Sequence, residues 1–255
     1  MIVGLDVFKK YFEQYSENYI IIGGTACDII ISEAGFIPRA TKDIDIILIV
    51  EALSTEFVQQ FWQFIKDGDY GDKEMSKDQR QYYRFKRPGN EDFPFQIELF
   101  SRTPDVIVLP PDSHLTPIPV DDNLSSLSAI LLNDEYYNYM IEHSQFEDGL
   151  HRANIEALIC LKIIAFLEIK ERIDNGSKED SKQLKKHKAD IFRLAVMLAP
   201  ASVFILPTTI QNNVNHFIEA IRDEIPDKAI FKEMGLGSID VNLVYKQLKK
   251  SFNIL

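Results

Sequence analysis

Cysteine is almost absent from this chain: Cys27 and Cys160 are its only two. Two thiols without a Cys-x-x-Cys pair argue against a disulfide framework and a cysteine-built zinc site, and they fit a reducing compartment. The histidines form no His-x-x-x-His or His-Glu-x-x-His run, so zinc catalysis lacks a ligand pattern, and neither a Walker loop nor Gly-x-Ser-x-Gly occurs. A long uncharged run is missing too. The most apolar stretch, 155–169, carries Glu156, Lys162 and Glu168, the mark of a buried helix rather than a membrane span. The N-terminus reaches Asp6, Lys9 and Lys10 too soon for a signal-peptide core, so the expected location is cytoplasmic. Basic residues are outnumbered, 28 against 39 acids, for a net charge of -11. Such a chain has no broad positive field for sequence-blind nucleic-acid binding, although a local basic groove stays open.

What is there reads as an ordinary globular protein, 45% hydrophobic and 26% charged in 255 residues, enough for one large domain or two small ones. A short helix is expected over 6–16, a buried strand over Tyr19–Ile22, a helix over 25–34 stopped by Gly35, and an isoleucine-rich strand over 43–50. Phe57, Phe61 and Phe64 at helical spacing predict a helix over 55–65; they and Trp62 read as core. The polar run 67–78 reads as a loop. Two strands, 81–87 and 93–100, flank the turn Pro88-Gly89-Asn90. Pro104, Pro110, Pro111, Pro117 and Pro119 then crowd together and suggest a domain boundary, with units at 1–110 and 120–255. The second half reads as helices over 133–143, 152–173, 182–198, 208–224 and 240–252, with a break at Asn175-Gly176-Ser177. The expected class is α/β (α+β): a mixed sheet flanked by helices, followed by a helical domain.

Strand side chains alternate, so Asp43 and Asp45 face the same way, about 6.6 Å apart along the strand. Glu98, inside the apolar strand 95–100, is the candidate third acid. Three carboxylates can hold two divalent ions roughly 3.5–4 Å apart, one for an attacking hydroxyl and one for a leaving pyrophosphate. The bland alternative is that the aspartates merely open a strand while Glu98 faces water. The glycines upstream favour the first reading. Gly23 and Gly24, at a strand-to-helix junction, let backbone amides approach phosphate oxygens, and Thr25 offers a hydroxyl while capping the helix. The alternative there is a tight turn with a good cap. Asp28 is assigned to capping. Arg39 is a candidate phosphate contact and Thr41 a loop brace, against a plain surface loop.

Lys162 is centred among Leu158, Ile159, Phe166 and Ile169. A lysine on an apolar stripe needs a partner, either a triphosphate or an internal acid, unless it snorkels to the surface. Asp190 lies in a lysine-rich helix with Lys182, Lys185, Lys186 and Lys188. It either helps orient Lys162 or the base, with the lysines as a patch for an acidic acceptor, or belongs to a solvated, charge-paired face.

The run Gly23-Gly24-Thr25-Ala26, then Arg39-x-Thr41-x-Asp43-x-Asp45, resembles the polymerase-beta-like nucleotidyltransferase superfamily, and most of all its AbiEii/AbiGii toxin family. The resemblance implies a nucleotidyltransferase core with a helical domain closing over the nucleotide. It gives Gly23, Gly24 and Thr25 the phosphate loop, Asp43 and Asp45 the metal, Lys162 the triphosphate and Asp190 a catalytic acid. Arg193 stands where relatives often carry a second acid. The implied activity is transfer of an NMP from an NTP to a hydroxyl acceptor with release of pyrophosphate, using two magnesium ions or manganese. Implied partners are an RNA or small-molecule acceptor and an antitoxin protein, as for the toxin of a toxin–antitoxin pair. Two other readings stand beside it: the same fold as a silent nucleotide- or partner-binding module, and a glycosyltransferase whose Asp-x-Asp holds a nucleotide-sugar metal.

Overall fold

The computed structural model describes residues 3–75, 82–102, 116–117, 133–176 and 181–254. Of the proline cluster only Pro117 falls within them, so the expected boundary lies largely outside the described residues. Contacts divide the chain into two compact units: Met1–Ala26 with Ala40–Ala153, and Cys27–Arg39 with Asn154–Leu255. The division falls inside the helix Gly23–Glu33. The fold is a mixed α/β one.

The first unit is built on an eight-stranded sheet. Its strands are β1 (Tyr19–Ile22), β2 (Asp43–Leu48), β3 (Tyr70–Met75), β4 (Tyr82–Pro88), β5 (Gln96–Phe100), β6 (Thr116–Pro117), β7 (Ser144–Glu147) and β8 (Leu150–Ala153), in the order β6-β3-β4-β5-β2-β1-β8-β7. β1 is buried throughout, as a run of Tyr-Ile-Ile-Ile requires in a central strand. It pairs antiparallel with β2, β2 runs parallel to β5, and β5 antiparallel to β4.

Ile44, Ile46 and Leu48 of β2, Ile97 and Leu99 of β5, and Tyr83 and Phe85 of β4 share one face by alternation, and all are buried. Aromatic side chains from the helices Leu5–Phe12 and Thr55–Asp67 cover it: Phe8 meets Tyr19 edge-on at 5.4 Å, and Phe61 meets Phe85 at 5.6 Å. The second helix starts where Ser54 Oγ accepts from the Phe57 amide, and its Phe57, Phe61 and Phe64 are core as their spacing predicts. The opposite face of β2, β5 and β4 carries the charged positions.

Some boundaries differ from the sequence reading. Tyr70–Met75, expected as loop, is a strand: its backbone pairs with β4 although Gly71-Asp72-Lys73-Glu74 shows no apolar alternation. Leu150–Ala153 is β8, paired with β1 and β7, so the helix expected from 152 starts only at Ile155. The first helix ends at Phe12 and passes into a 3-10 stretch, Glu13–Asn18.

The second unit is helical, with Ile155–Asp174, Ser181–Ala195, Thr208–Ala220, Ala229–Lys232 and Val241–Ser251. The first of these packs against the second and third, burying Leu158, Ile159, Phe166, Ile191, Phe192 and Phe217.

Candidate functional site

In the first unit, β1 delivers the chain into the helix Gly23–Glu33, which begins two residues earlier than its sequence suggests. Gly23 has φ of 67°, the left-handed region that suits glycine. A Cβ at Gly23 would lie 1.8 Å from Asp45 Oδ2, so the glycine makes room for that carboxylate directly. Gly24 follows in the first turn and is half-buried. Thr25 is fully buried, and its hydroxyl donates to the Asp43 carbonyl, tying the start of the helix to the start of β2. The hydroxyl is thereby committed to backbone. Asp28 is a correction: with the helix starting at Gly23 it lies beyond the first turn, buried rather than capping.

Asp43 and Asp45 are half-buried on one face of β2. Asp45 is register partner of Glu98 on β5 and of Ile22 on β1, and Glu98 is partner of Arg84 on β4. Partnered residues share a face, so Asp43, Asp45, Glu98 and Arg84 all do. Glu98 does not simply face water. It is buried, and its Oε1 accepts from Arg84 Nε at 2.9 Å and from Gln96 Nε2 at 2.8 Å. Among the described residues no three His, Cys, Asp or Glu side chains are gathered closely enough to hold a metal ion. The sheet therefore brings Asp43, Asp45 and Glu98 to one face but spends the third acid on an arginine. Arg84 and Gln96 are the residues sequence reasoning missed. The only signal was their alternation with apolar neighbours, readable once the β4–β5 register is known.

The second unit carries its own charged cluster. Lys162 is buried on Ile155–Asp174, and its Nζ donates to Asp190 Oδ2 at 2.9 Å. Arg193 donates to Asp190 Oδ1 at 3.1 Å and to Glu233 at 2.7 Å, and Arg39 lies 3.7 Å from Asp190 Oδ2. Burial pushes the Asp190 carboxyl up, but the surrounding cations outweigh it and hold the group down at about 2. Burial works against the Lys162 charge as well, yet Cys27 and then Asp190 keep its ammonium above the ordinary range. His187, one turn before Asp190, is driven down to about 3 by burial and then by Lys162 and Lys186, and its Nδ1 is buried without a partner among the described residues. Lys162 thus has an internal acid as a partner. The expectation of a solvated face at Asp190 is corrected: the carboxylate is buried, one anion shared by three cations. Thr41 is half-buried in the loop before β2.

No protein-family model matches this chain, and comparison with curated proteins finds no match. Among the described residues no helix is long and apolar enough to cross a membrane.

Proposed function

We propose that the protein is a nucleotidyltransferase that moves an NMP from an NTP to a hydroxyl acceptor. The observation that carries this reading is the meeting of Gly23 with Asp45. A strand runs into a helix N-terminus whose first residue is a left-handed glycine, and the acid of β2 sits against it, with Asp43 on the same face and Glu98 in register beside it. Backbone amides at a helix N-terminus suit phosphate oxygens. Two half-buried carboxylates with phosphate oxygens suit magnesium, which takes one or two protein carboxylates and completes its shell with phosphate and water. Asp43 and Asp45 thus fit a divalent cation, magnesium or manganese, while Glu98, the acid expected to help hold a second ion, is engaged by Arg84. Such ions supply charge neutralisation at the phosphates and activation of the hydroxyl.

In the reaction the acceptor oxygen forms a bond to the α-phosphorus, the bond to the β-phosphate bridging oxygen breaks, pyrophosphate leaves and the hydroxyl gives up its proton. The chain's own part is positioning. Gly23 and Gly24 amides hold phosphate, while Thr25 fixes the Asp43 backbone so that the two aspartates keep their spacing. A phosphate role for Lys162 and Arg39 belongs to the same reading; in the second unit both lie against Asp190, the acid proposed to orient Lys162. RNA is the first candidate acceptor and a small molecule the second; an antitoxin partner belongs to the same reading. The free, buried thiols of Cys27 and Cys160 fit a cytoplasmic setting.

The test is incubation with labelled NTPs, magnesium and total RNA or small-molecule acceptors. Label transferred by wild type and lost with Asp43→Ala supports the reading; equal transfer by both rejects the assigned site. A second reading, a silent nucleotide-binding module, is favoured by one observation: Glu98 is engaged by Arg84. Cation-dependent NTP binding without turnover over every acceptor would decide for it.

A further inference from the structure

The charged face of the first unit is ordered in rows that cross the strands. One row runs Asp45, Glu98, Arg84 over β2, β5 and β4; the next runs Asp43, Gln96, Lys86. Acids occupy β2, and bases occupy β4 two strands away. Glu98 stands between them and is held on the basic side. Both of its hydrogen bonds from described residues reach Oε1, one from Arg84 and one from Gln96, and the Arg84 and Glu98 side chains are only 10% and 11% exposed. A shielded ion pair at 2.9 Å is screened little by salt. A cation approaching Glu98 therefore meets a carboxylate already neutralised, and the Arg84 charge repels it.

We propose that Arg84 is a specificity-determining residue that claims Glu98, so that the face takes a divalent cation together with polyphosphate rather than as the free ion. This rests on the reading of Asp43 and Asp45 as the cation ligands. Two carboxylates alone make a weak site for a free divalent ion, which keeps most of its water. Polyphosphate oxygens supply the missing ligands. By pairing with Glu98, Arg84 also lowers the negative charge that an incoming polyphosphate meets on this face. Gln96 shares the task by holding Oε1 from its own strand.

The opposite role, in which Arg84 prepares Glu98 as a full ligand, predicts the reverse sign, so the two separate cleanly. The measurement is Mn2+ titration followed by electron paramagnetic resonance, with and without inorganic tripolyphosphate, on the full chain. Wild type should bind Mn2+ weakly alone and at least tenfold more tightly with tripolyphosphate. Arg84→Gln should bind free Mn2+ at least tenfold more tightly than wild type, and Arg84→Gln/Glu98→Gln should return to the wild-type value. Glu98→Gln, which keeps the shape and an oxygen for Arg84, should change free Mn2+ affinity less than twofold; it serves if Arg84→Gln fails to fold. A tenfold loss in Glu98→Gln, or no gain in folded Arg84→Gln, overturns the inference and leaves the cation reading standing. Wild type that binds Mn2+ as described but transfers no nucleotide overturns the transferase reading alone, and wild type that binds no Mn2+ under either condition overturns both.

Discussion

Lys162 Nζ lies 2.9 Å from Asp190 Oδ2, and both side chains are buried. The pair joins Ile155–Asp174 to Ser181–Ala195, the two longest helices described in the second unit. Its charges are not balanced one to one, because Arg39 and Arg193 share the same carboxylate. Removing the anion should therefore hurt more than removing one cation. Asp190→Ala takes away the carboxylate that three cations share, leaves the buried Lys162 ammonium without that acceptor, and should destabilise the unit by about 3–5 kcal/mol. Lys162→Met leaves Asp190 two partners and should cost about 1–3 kcal/mol. Urea unfolding midpoints check the order; a larger loss in Lys162→Met would contradict it.

Acid should loosen the second unit in two stages. His187 has a folded value of about 3 against an ordinary 6.5, so its contribution is full above 6.5 and disappears as the pH falls through that window. Asp190, held at about 2 against 3.8, keeps its contribution until the pH drops below about 4. Unfolding midpoints at pH 7, 5, 4 and 3 should fall steadily for wild type. His187→Gln should flatten the profile between pH 6.5 and 4 and leave the steeper acid limb. An unchanged slope in that variant would count against a buried neutral imidazole.

Gly23→Ala should damage both fold and site. The new Cβ would sit 1.8 Å from Asp45 Oδ2 at a φ of 67°. The strain alone is of order 1–3 kcal/mol, and the displaced Asp45 should weaken cation binding along with it. Gly35→Ala is the control, since its φ of 79° gives strain while nothing lies within 4 Å of its Cβ position. Thermal midpoint and Mn2+ affinity should both fall in the first variant, and only the midpoint in the second.

Asp45→Asn keeps the shape of the side chain and removes its charge. Transfer of labelled NMP should fall on the order of a hundredfold or more, as when a charge-stabilising group is lost from an active centre. Thr25→Val, which removes the bond to the Asp43 carbonyl, should cost about 1 kcal/mol of stability and a smaller part of the activity. Label transfer and thermal melts on the same preparations check both. A Thr25→Val effect larger than that of Asp45→Asn would give the hydroxyl a direct role that its bond to backbone argues against.

Local pattern was enough to read the strand entering Gly23-Gly24, the shared face of Asp43 and Asp45, and the need of Lys162 for a partner. Each follows from periodicity over a few residues or from the cost of a lone buried charge. Even so, the choice of Asp190 for Lys162, with Arg193 beside it, came from helix packing. The strands β3 and β8 were illegible because their residues show no apolar alternation and are strands only by virtue of what they pair with. Glu98 was legible as an acid in an apolar strand, but its engagement with Arg84 was not. That bond exists because β4 and β5 pair antiparallel in one register, which sets residues 14 apart side by side. Sequence fixes what a residue can do within its own turn or pleat; non-local pairing and packing decide which charge finally answers it.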